Sequence, residues 1–169
     1  VEYFGRGPAE NYLDRNAGSM IGLYKSTAEE LYFPYVRPQE NGHHTDTRWV
    51  SLSTGKKGLL IQADNTIGFN ALRNSIEDFD DEEATGLPRQ WSNFTPEQVA
   101  NHDEAAAKNV LRRQHHINDI TPRDFVEVCV DLKQQGVAGY DSWGSRPEPA
   151  YTLPANREYN WGFTLIPLK

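Results

Sequence analysis

The sequence predicts an all-β protein of antiparallel strands arranged as a sandwich. Several short segments alternate apolar and polar residues with the two-residue period of half-buried strands. The connections between these segments are rich in glycine and proline, which favour turns. A helical pattern occurs in one stretch alone, so we do not expect helices to form a layer of their own.

Five segments carry the strand pattern. In chain order they are MIGLYKS (20–26), RWVSLS (48–53), KGLLIQA (57–63), DFVEVCVDLK (124–133) and EYNWGFTLIP (158–167). The fourth places four aliphatic residues on one face: Val126, Val128, Val130 and Leu132. The fifth makes an aromatic-rich face from Tyr159, Trp161, Phe163 and Leu165. STGKKG (53–58) predicts a tight turn between the second and third segments.

The helical stretch covers residues 94–114. Thr95 is suited to the N-cap, Pro96 to the first helical position, and Gln98 to the capping box. The residues before it are acidic and rich in turn formers, which is typical of a surface loop. We therefore predict an acidic loop plus a short helix over 78–110, inserted into a single domain that spans 1–169.

Composition limits the classes of partner. Lys and Arg number 17 against 24 Asp and Glu, for a net charge of −7, and no basic stripe is present. This excludes nucleic acid and anionic membranes as expected partners. The apolar runs are too short to cross a bilayer, so we expect a soluble protein, cytoplasmic or periplasmic. The chain opens with VEYFGRG, a strand pattern without an initiator Met, and we expect it to be a piece of a longer protein.

No catalytic, cofactor or metal site is predicted within this chain. Glycoside hydrolysis needs two carboxylates at a defined separation, and no acidic residue here pairs convincingly with a second one. NGHHTDTRW brings together His43, His44 and Asp46, but adjacent residues of an extended segment point to opposite faces. The same holds for His115 and His116. Cys129 is the single cysteine, so an internal disulfide is impossible.

The loop GVAGYDSWG (136–144) carries the main candidate site. It places Trp143 beside Asp141 and Ser142 in a segment broken by glycines. An exposed indole with polar neighbours is suited to a sugar, because the C–H face of a pyranose packs on the ring and the polar groups bind its hydroxyls. The alternative is a tryptophan folded back over the end of the sandwich. The residues alone leave both open.

Three motifs, two of which include segments described above, carry a resemblance to a known family. They are EYFGRGPAENYLDR (2–15), PYVRPQENGHHTDTRW (34–49) and GVAGYDSWGSRPEP (136–149). In this order they resemble the C-terminal small-chain domain of the β-galactosidases of glycoside hydrolase family 2. The similarity runs from residue 1 through WGFTLIP near the end of the chain. It implies that this chain is part of a large antiparallel sandwich, a supersandwich like that of the galactose mutarotases.

The resemblance also implies a function. A preceding (β/α)₈ barrel, outside this chain, would carry two catalytic glutamates and a divalent metal, Mg, for hydrolysis of terminal β-D-galactosides with retention. The tryptophan of the DSW motif, here Trp143, would line the substrate pocket, with Asp141 and Ser142 shaping its loop. This fragment alone would be inactive. It would also self-associate, as a homo-oligomer, through open strand edges.

The main alternative is a free-standing carbohydrate-binding or mutarotase-like sandwich. A mutarotase needs a histidine and a carboxylate that converge on the sugar ring, and His43 and His44 have carboxylates nearby in the sequence. A purely structural domain that supports oligomer contacts is the third reading, and it requires Trp143 to be buried.

Two details of the motifs lead to expectations about local structure. The family usually has glycine where this chain has Ala138, so a positive φ there would cost about 1 kcal/mol. Gly5, Gly7 and Pro8 are expected to make a tight strand exit. We expect hydrogen bonds and charge pairs from the polar residues of the first and second motifs to close it: Glu10, Asn11, Asp14, Arg15, Arg37, Glu40 and Asn41.

Overall fold

The computed structural model describes residues 1–36, 38–79, 117–141 and 143–169. The described residues fall into two compact units. The first contains Val1–Phe33, Asn41–Arg73 and Asp124–Lys169, and the second contains Pro34–Glu40 and Asn74–Arg123. The prediction of one domain over 1–169 stays a prediction.

The described part of the first unit forms an antiparallel sheet of six strands. The strands are β1 (Glu2–Gly7), β2 (Met20–Lys25), β3 (His44–Thr54), β4 (Lys57–Leu72), β5 (Glu127–Asp131) and β6 (Phe163–Leu168). Their order is β2-β1-β3-β4-β5, and β6 also pairs with β4. The first half of β4 pairs with β6 and its second half with β5. The predicted all-β, antiparallel class is confirmed, consistent with a sandwich.

The hairpin between β3 and β4 forms where the turn was predicted. Thr54 pairs with Lys57, which leaves Gly55 and Lys56 as a two-residue loop. Gly55 has a φ of +67°, a value that glycine adopts without steric cost at the first position of such a loop. The pairing then continues from Leu52 opposite Leu59 to Val50 opposite Ile61.

The structure changes the bounds of other strands. The segment predicted over 57–63 extends to Leu72, and β6 begins only at Phe163. Tyr159 and Trp161 therefore precede the strand, so the start predicted for this strand is wrong, although the rings of Trp161 and Phe163 lie 5.5 Å apart. The helix predicted over 94–114 lies outside the described residues, as does the acidic loop apart from Asp78 and Phe79. In the part of the chain that is described, no helix is long and apolar enough to cross a membrane.

The core lies on one face of the sheet. Tyr3, Val50 and Ile61 are opposite one another on β1, β3 and β4, and all are buried. The Tyr3 ring meets Phe69 at a centroid distance of 5.1 Å and an angle of 63°, an edge-to-face contact. The opposite face carries exposed apolar residues beside the charged Glu2 and Lys25. Phe4 and its cross-strand neighbour Leu23 keep 37% and 70% of their surface accessible.

The second unit contains two short 3₁₀ helices in its described part, Ile76–Phe79 and Ile117–Asp119. Asp78 is buried, and its carboxylate accepts hydrogen bonds from Arg123, from the Ser75 N–H at 3.1 Å and from Asn74. Burial raises the pKa of Asp78, but these hydrogen bonds, led by the Arg123 guanidinium, outweigh it and hold the pKa below its usual value. The expectation of a solvated loop is therefore wrong at Asp78.

Candidate functional site

The tryptophan loop, residues 136–145, is fastened to the first unit at its base. The Gly136 N–H donates to the Tyr151 carbonyl at 2.8 Å. The next two amides both donate to the carboxylate of Asp14: Val137 to Oδ1 at 3.0 Å and Ala138 to Oδ2 at 2.8 Å. The base of the loop is thus held by a side chain more than 120 residues away in the sequence.

The tip of the loop is closed by local hydrogen bonds. The Ser145 Oγ accepts from the Gly139 and Tyr140 N–H groups at 3.2 and 3.1 Å. The Asp141 Oδ1 accepts from the Trp143 N–H at 2.7 Å, the side-chain-to-backbone bond of an Asx turn. This geometry gives Asp141 the means to shape the loop. Ser142, the third predicted site residue, lies outside the described residues.

The backbone of the loop includes three left-handed residues. Ala138 has a φ of +56°, followed by Gly139 at +89° and Gly144 at +85°. Ala138 thus has the positive φ at which the sequence predicts a cost for alanine. Glycine carries no penalty there, whereas the Cβ of alanine costs of order 1 kcal/mol. The hydrogen bond from Ala138 to Asp14 is one of the contacts that hold this conformation.

Trp143 projects from the tip with 93% of its surface exposed. This exposure contradicts the alternative in which the indole folds back over the end of the sandwich. The interpretation as a purely structural domain required a buried Trp143, and this requirement is not met. The predicted roles of Trp143, Asp141 and Ser142 in substrate binding stay predictions.

A second group of motif residues is buried instead. We call residues 8–15 and 41–45 the buried polar cluster. At its centre, Asn11 donates from Nδ2 to the carbonyls of Arg6 and Ala9, both at 3.1 Å. Its Oδ1 accepts from the N–H of Thr45 at 3.0 Å and from the Thr45 hydroxyl at 2.6 Å. The amide side chain of Asn11 therefore uses its two donors and both of its acceptor sites.

Glu10 holds the rest of this cluster together. Its carboxylate accepts a hydrogen bond from the Gly42 N–H at 2.6 Å and forms an ion pair with Arg15. The side chain of Asn41 accepts from the Phe33 N–H at 3.2 Å. The structural role expected for Glu10, Asn11, Arg15 and Asn41 is confirmed, and Arg37 lies outside the described residues. Asp14 differs, because its hydrogen bonds go to the tryptophan loop.

The two adjacent histidines occupy separate buried environments. His44 stacks on Phe69 at 5.2 Å, and its ring nitrogens lie 2.9 Å from the Gly42 carbonyl and 3.3 Å from the Pro8 carbonyl. His43 stacks on Tyr12 at 5.6 Å, and its ring is 1% exposed. A sugar in solvent therefore cannot reach either ring, and this removes the support for a mutarotase-like pair.

His43 is neutral at physiological pH. Burial lowers its pKa to about 4, and the neighbouring His44 adds to this shift. The Asp131 Oδ2 lies 3.9 Å from its Nδ1, too far for a hydrogen bond. Within the described residues, neither ring nitrogen of His43 has a hydrogen-bond partner. Burial also raises the pKa of Asp131.

Over the described residues, no three His, Cys, Asp or Glu side chains come together in a way that could hold a metal ion. His115 and His116 lie outside those residues. A cavity of about 600 Å³ is present in the first unit, with Glu29, Leu52, Lys57 and Arg73 among its lining residues. Neither Asp141 nor Trp143 lines it.

The sequence identified Trp143 as a candidate site residue, but it did not reveal the contacts that hold the tryptophan loop. Asp14 was interpreted as part of the strand exit, because its sequence neighbours Glu10 and Arg15 belong there. Ser145 received no role, because a serine in a loop is common. The available signal was Gly136. A Cβ built there would lie 2.5 Å from the Asp14 Oδ2, so the carboxylate comes close only because residue 136 is glycine.

Comparison with known proteins finds relatives that match nearly the whole chain. The family model described as "Beta galactosidase small chain" matches residues 1–165. The β-galactosidase of Priestia megaterium is 35% identical over 99% of this chain and 13% of its own length. That of Streptococcus thermophilus is 29% identical over 99% of this chain and 14% of its own. That of Pseudoalteromonas haloplanktis is 26% identical over 98% and 12%. The chain thus spans 12–14% of these curated relatives, and it belongs to the β-galactosidase small-chain family.

Proposed function

We propose that this chain is the C-terminal part of a β-galactosidase that hydrolyses terminal β-D-galactosides with retention, as in glycoside hydrolase family 2. Its contribution is a loop that carries Trp143 to the substrate pocket. The reacting groups lie elsewhere in the parent protein. One glutamate acts as nucleophile and another as acid and base, in a barrel that precedes this segment and that would also hold Mg. The isolated chain is then inactive.

The observation that carries this proposal is the exposure of Trp143 on a loop that is hydrogen-bonded at both its base and its tip. A flat indole offers a pyranose an apolar face of matching size. The hydrogen bond from the Trp143 N–H to Asp141 fixes the backbone from which the indole projects. A loop backbone that is already ordered loses less conformational entropy when the sugar binds. Asp141 and Ser142 would shape the loop around it.

The direct test is kinetic and uses the full-length parent protein. In the Trp143→Ala variant, kcat/KM for an aryl β-galactoside should fall about ten- to a hundred-fold, equivalent to about 1.4–2.7 kcal/mol of transition-state stabilisation. Trp161→Ala is the matched control, because Trp161 is also exposed and lies outside the loop. Its kcat/KM should stay within about twofold of the parent. Equal losses in both variants, or no loss in either, would refute the proposed role.

Two further measurements separate this function from a free-standing carbohydrate-binding domain. A continuous reading frame that encodes a barrel upstream of Val1 supports the proposal, whereas an independent start at this segment overturns it. The isolated chain should also release no chromophore from a chromogenic galactoside. Hydrolysis that disappears when an acidic residue of this chain is replaced would contradict the assignment of catalysis to the barrel.

The exposed sheet face suits a second copy of the chain. Leu23, Phe4 and Ile21 keep 37–70% of their surface accessible on neighbouring strands, and apolar patches of this kind favour association. We propose that the isolated chain forms a symmetric dimer through this face. Sedimentation should give a mass above that of the monomer, and Leu23→Lys should reduce it. A monodisperse monomer of the unmodified chain would overturn this part.

A further inference from the structure

Asp14 lies at the tip of a narrow turn within the buried polar cluster. The Tyr12 N–H donates to the Arg15 carbonyl at 3.2 Å, and the Arg15 N–H donates back to the Tyr12 carbonyl at 2.8 Å. Leu13 and Asp14 are therefore the two central residues of the turn. Tyr12 is buried and stacks on His43, while Arg15 pairs with the carboxylate of Glu10. The backbone of Asp14 is fixed to the core on both sides.

Both carboxylate oxygens of Asp14 accept hydrogen bonds from the tryptophan loop. Each accepts one backbone N–H, from Val137 and from Ala138, at 3.0 and 2.8 Å. Hydrogen bonds to an ionised acceptor are shorter and stronger than those between neutral groups. This pair of bonds crosses 123–124 residues of sequence. It connects the buried cluster directly to the base of the loop.

Gly136 makes this approach possible. A Cβ at residue 136 would lie 2.5 Å from the Asp14 Oδ2, 2.6 Å from its Cγ and 3.0 Å from the Tyr151 Cβ. Two of these distances fall below any normal contact between heavy atoms, so an alanine would force the carboxylate away. The position is also buried, and its own N–H is bound to Tyr151. Glycine and carboxylate therefore form one arrangement.

The backbone conformation of Ala138 explains why the base of the loop needs strong hydrogen bonds. Its φ of +56° is unfavourable for a residue with a Cβ. Such conformations persist only where the surroundings hold them in place. The Asp14 carboxylate holds both the amide of Ala138 and that of the residue before it. Without this contact, the chain at 137–138 would relax toward negative φ and carry the residues after it to another position.

We propose that Asp14 is a positioning residue for the galactoside site. It sets the place of Trp143 through the amides of Val137 and Ala138, without touching the substrate. This inference rests on the proposed function of Trp143. It adds a residue outside the loop on which the affinity for the galactoside depends. Because Asp14 acts through Trp143, its effect on catalysis must disappear when the indole is absent.

The experiment is a double-mutant cycle in the full-length parent protein, with KM and kcat measured on an aryl β-galactoside. The variants are Asp14→Ala, Trp143→Ala and the double variant. Asp14→Ala alone should lower kcat/KM about tenfold, mainly through KM, because the indole is misplaced. In the Trp143→Ala background, the same change should alter kcat/KM by less than about twofold. Gly136→Ala should reproduce the effect of Asp14→Ala, since it displaces the same carboxylate.

Asp46→Asn is the matched control. Like Asp14, Asp46 is a half-exposed carboxylate. It accepts a hydrogen bond from Arg6 at 2.5 Å, and none of its hydrogen bonds in the described residues reaches the tryptophan loop. Its φ of +52° is one that asparagine tolerates well. The control should leave KM unchanged. Hydrogen exchange separates positioning from unfolding: in Asp14→Ala, the amides of Val137 and Ala138 should lose protection, while the Thr45 amide bound to Asn11 keeps it.

The outcomes distinguish the two proposals. If Trp143→Ala has no effect on kcat/KM, the proposed function fails and this inference fails with it. If Trp143→Ala lowers kcat/KM while Asp14→Ala leaves it unchanged, the inference alone is overturned. It is also overturned if Asp14→Ala costs the same in both backgrounds, or if the Thr45 amide loses protection together with those of the loop.

Discussion

The buried polar cluster and the tryptophan loop are built from similar groups: carboxylates, serine or threonine hydroxyls and backbone amides. The two regions differ in what these groups do. In the cluster, Asn11 and both histidines are at most 1% exposed, and Asn11 satisfies its polar atoms within the chain. In the loop, Trp143 is 93% exposed, and the hydrogen bonds hold backbone rather than cover the side chain. Burial of paired polar groups makes the first region specific to one fold. In the second region, the hydrogen bonds hold the backbone and leave the indole of Trp143 exposed to solvent.

The difference teaches which motif residues to assign to stability and which to function. Both regions belong to the motifs that identify the family, so motif membership does not separate them. The two regions are separated by which groups their side chains bind. Side chains of the cluster bind one another and the strand ends, whereas those of Asp14, Asp141 and Ser145 bind amides of a loop whose largest side chain is left free to meet a ligand. Asp14 is the residue that joins the two regions.

The largest effect on stability is expected from Asn11. Asn11→Ala removes four side-chain hydrogen bonds and leaves the N–H of Thr45 and the carbonyls of Arg6 and Ala9 unpaired. Because a buried polar group without a partner costs about 1–3 kcal/mol, the free energy of unfolding should fall by at least about 3 kcal/mol. Urea unfolding of the purified chain, followed by circular dichroism, measures this loss.

Asn156→Ala serves as the control for Asn11, because Asn156 is exposed in a surface turn. Its free energy of unfolding should stay within about 0.5 kcal/mol of the unmodified chain. If both variants lose the same stability, the cluster is not the specific centre that its hydrogen bonds indicate. Asn11→Asp, which keeps the acceptors and loses the donors, should fall between the two.

A pH effect of similar size should arise from His43. Its pKa is about 4 in the folded chain, against an ordinary value of 6.5. Between these two pH values the unfolded chain takes up a proton that the folded chain does not, so stability falls as the pH falls through this window. The loss approaches about 3 kcal/mol at 1.36 kcal/mol per pKa unit. His44, whose pKa is also lowered by burial, acts in the same direction.

His43→Leu should flatten this pH dependence. The ring nitrogens have no hydrogen-bond partners within the described residues, so an apolar side chain leaves no further group unpaired. Asp131 acts in the opposite direction, since burial raises its pKa and its protonation offsets part of the loss at low pH. Urea midpoints measured from pH 7 to pH 4 follow the effect. An unchanged slope in His43→Leu would show that the ring does not carry it.

The smallest effect is expected within the loop and has the opposite sign. Ala138→Gly relieves the positive φ of +56° and should stabilise the folded chain by about 0.5–1 kcal/mol. Ala63→Gly is its matched control, because Ala63 is a regular strand residue of β4, where glycine costs about 0.5–1 kcal/mol. Thermal unfolding of both variants compares the two signs. A loss of stability in Ala138→Gly would mean that the backbone there is not strained.

Local pattern was enough to predict much of the sheet and one functional candidate. The hairpin at Gly55 and the strand over 20–26 follow from turn chemistry and alternation, which are properties of neighbouring residues. The glycines around Trp143 marked its loop as a candidate site, but they left open whether the indole is exposed or folded back. The start of β6 was misplaced because aromatic residues at 159 and 161 continue the alternation into a segment that does not pair. The alternation of apolar and polar residues does not show where the pairing between two strands ends.

What the sequence could not predict depends on contacts between distant segments. The carboxylate of Asp14 meets amides 123–124 residues away, and no local signal marks that contact except a glycine at 136. The burial of His43 follows from Tyr12 and from the space left by Gly68, which come from other parts of the chain. Both are properties of tertiary packing, and tertiary packing also decides the titration of His43.

The most direct test of the central claim is a titration of the ¹⁵N-labelled chain with galactose and lactose, observed through its indole N–H signals in NMR spectra. The Trp143→Ala variant identifies which signal belongs to Trp143. Because the loop is hydrogen-bonded at its base and its tip within this chain, the account predicts that this signal shifts with sugar and that the other indole signals do not. A Trp143 signal that stays unmoved at high millimolar sugar, or a shift confined to another indole, would contradict it.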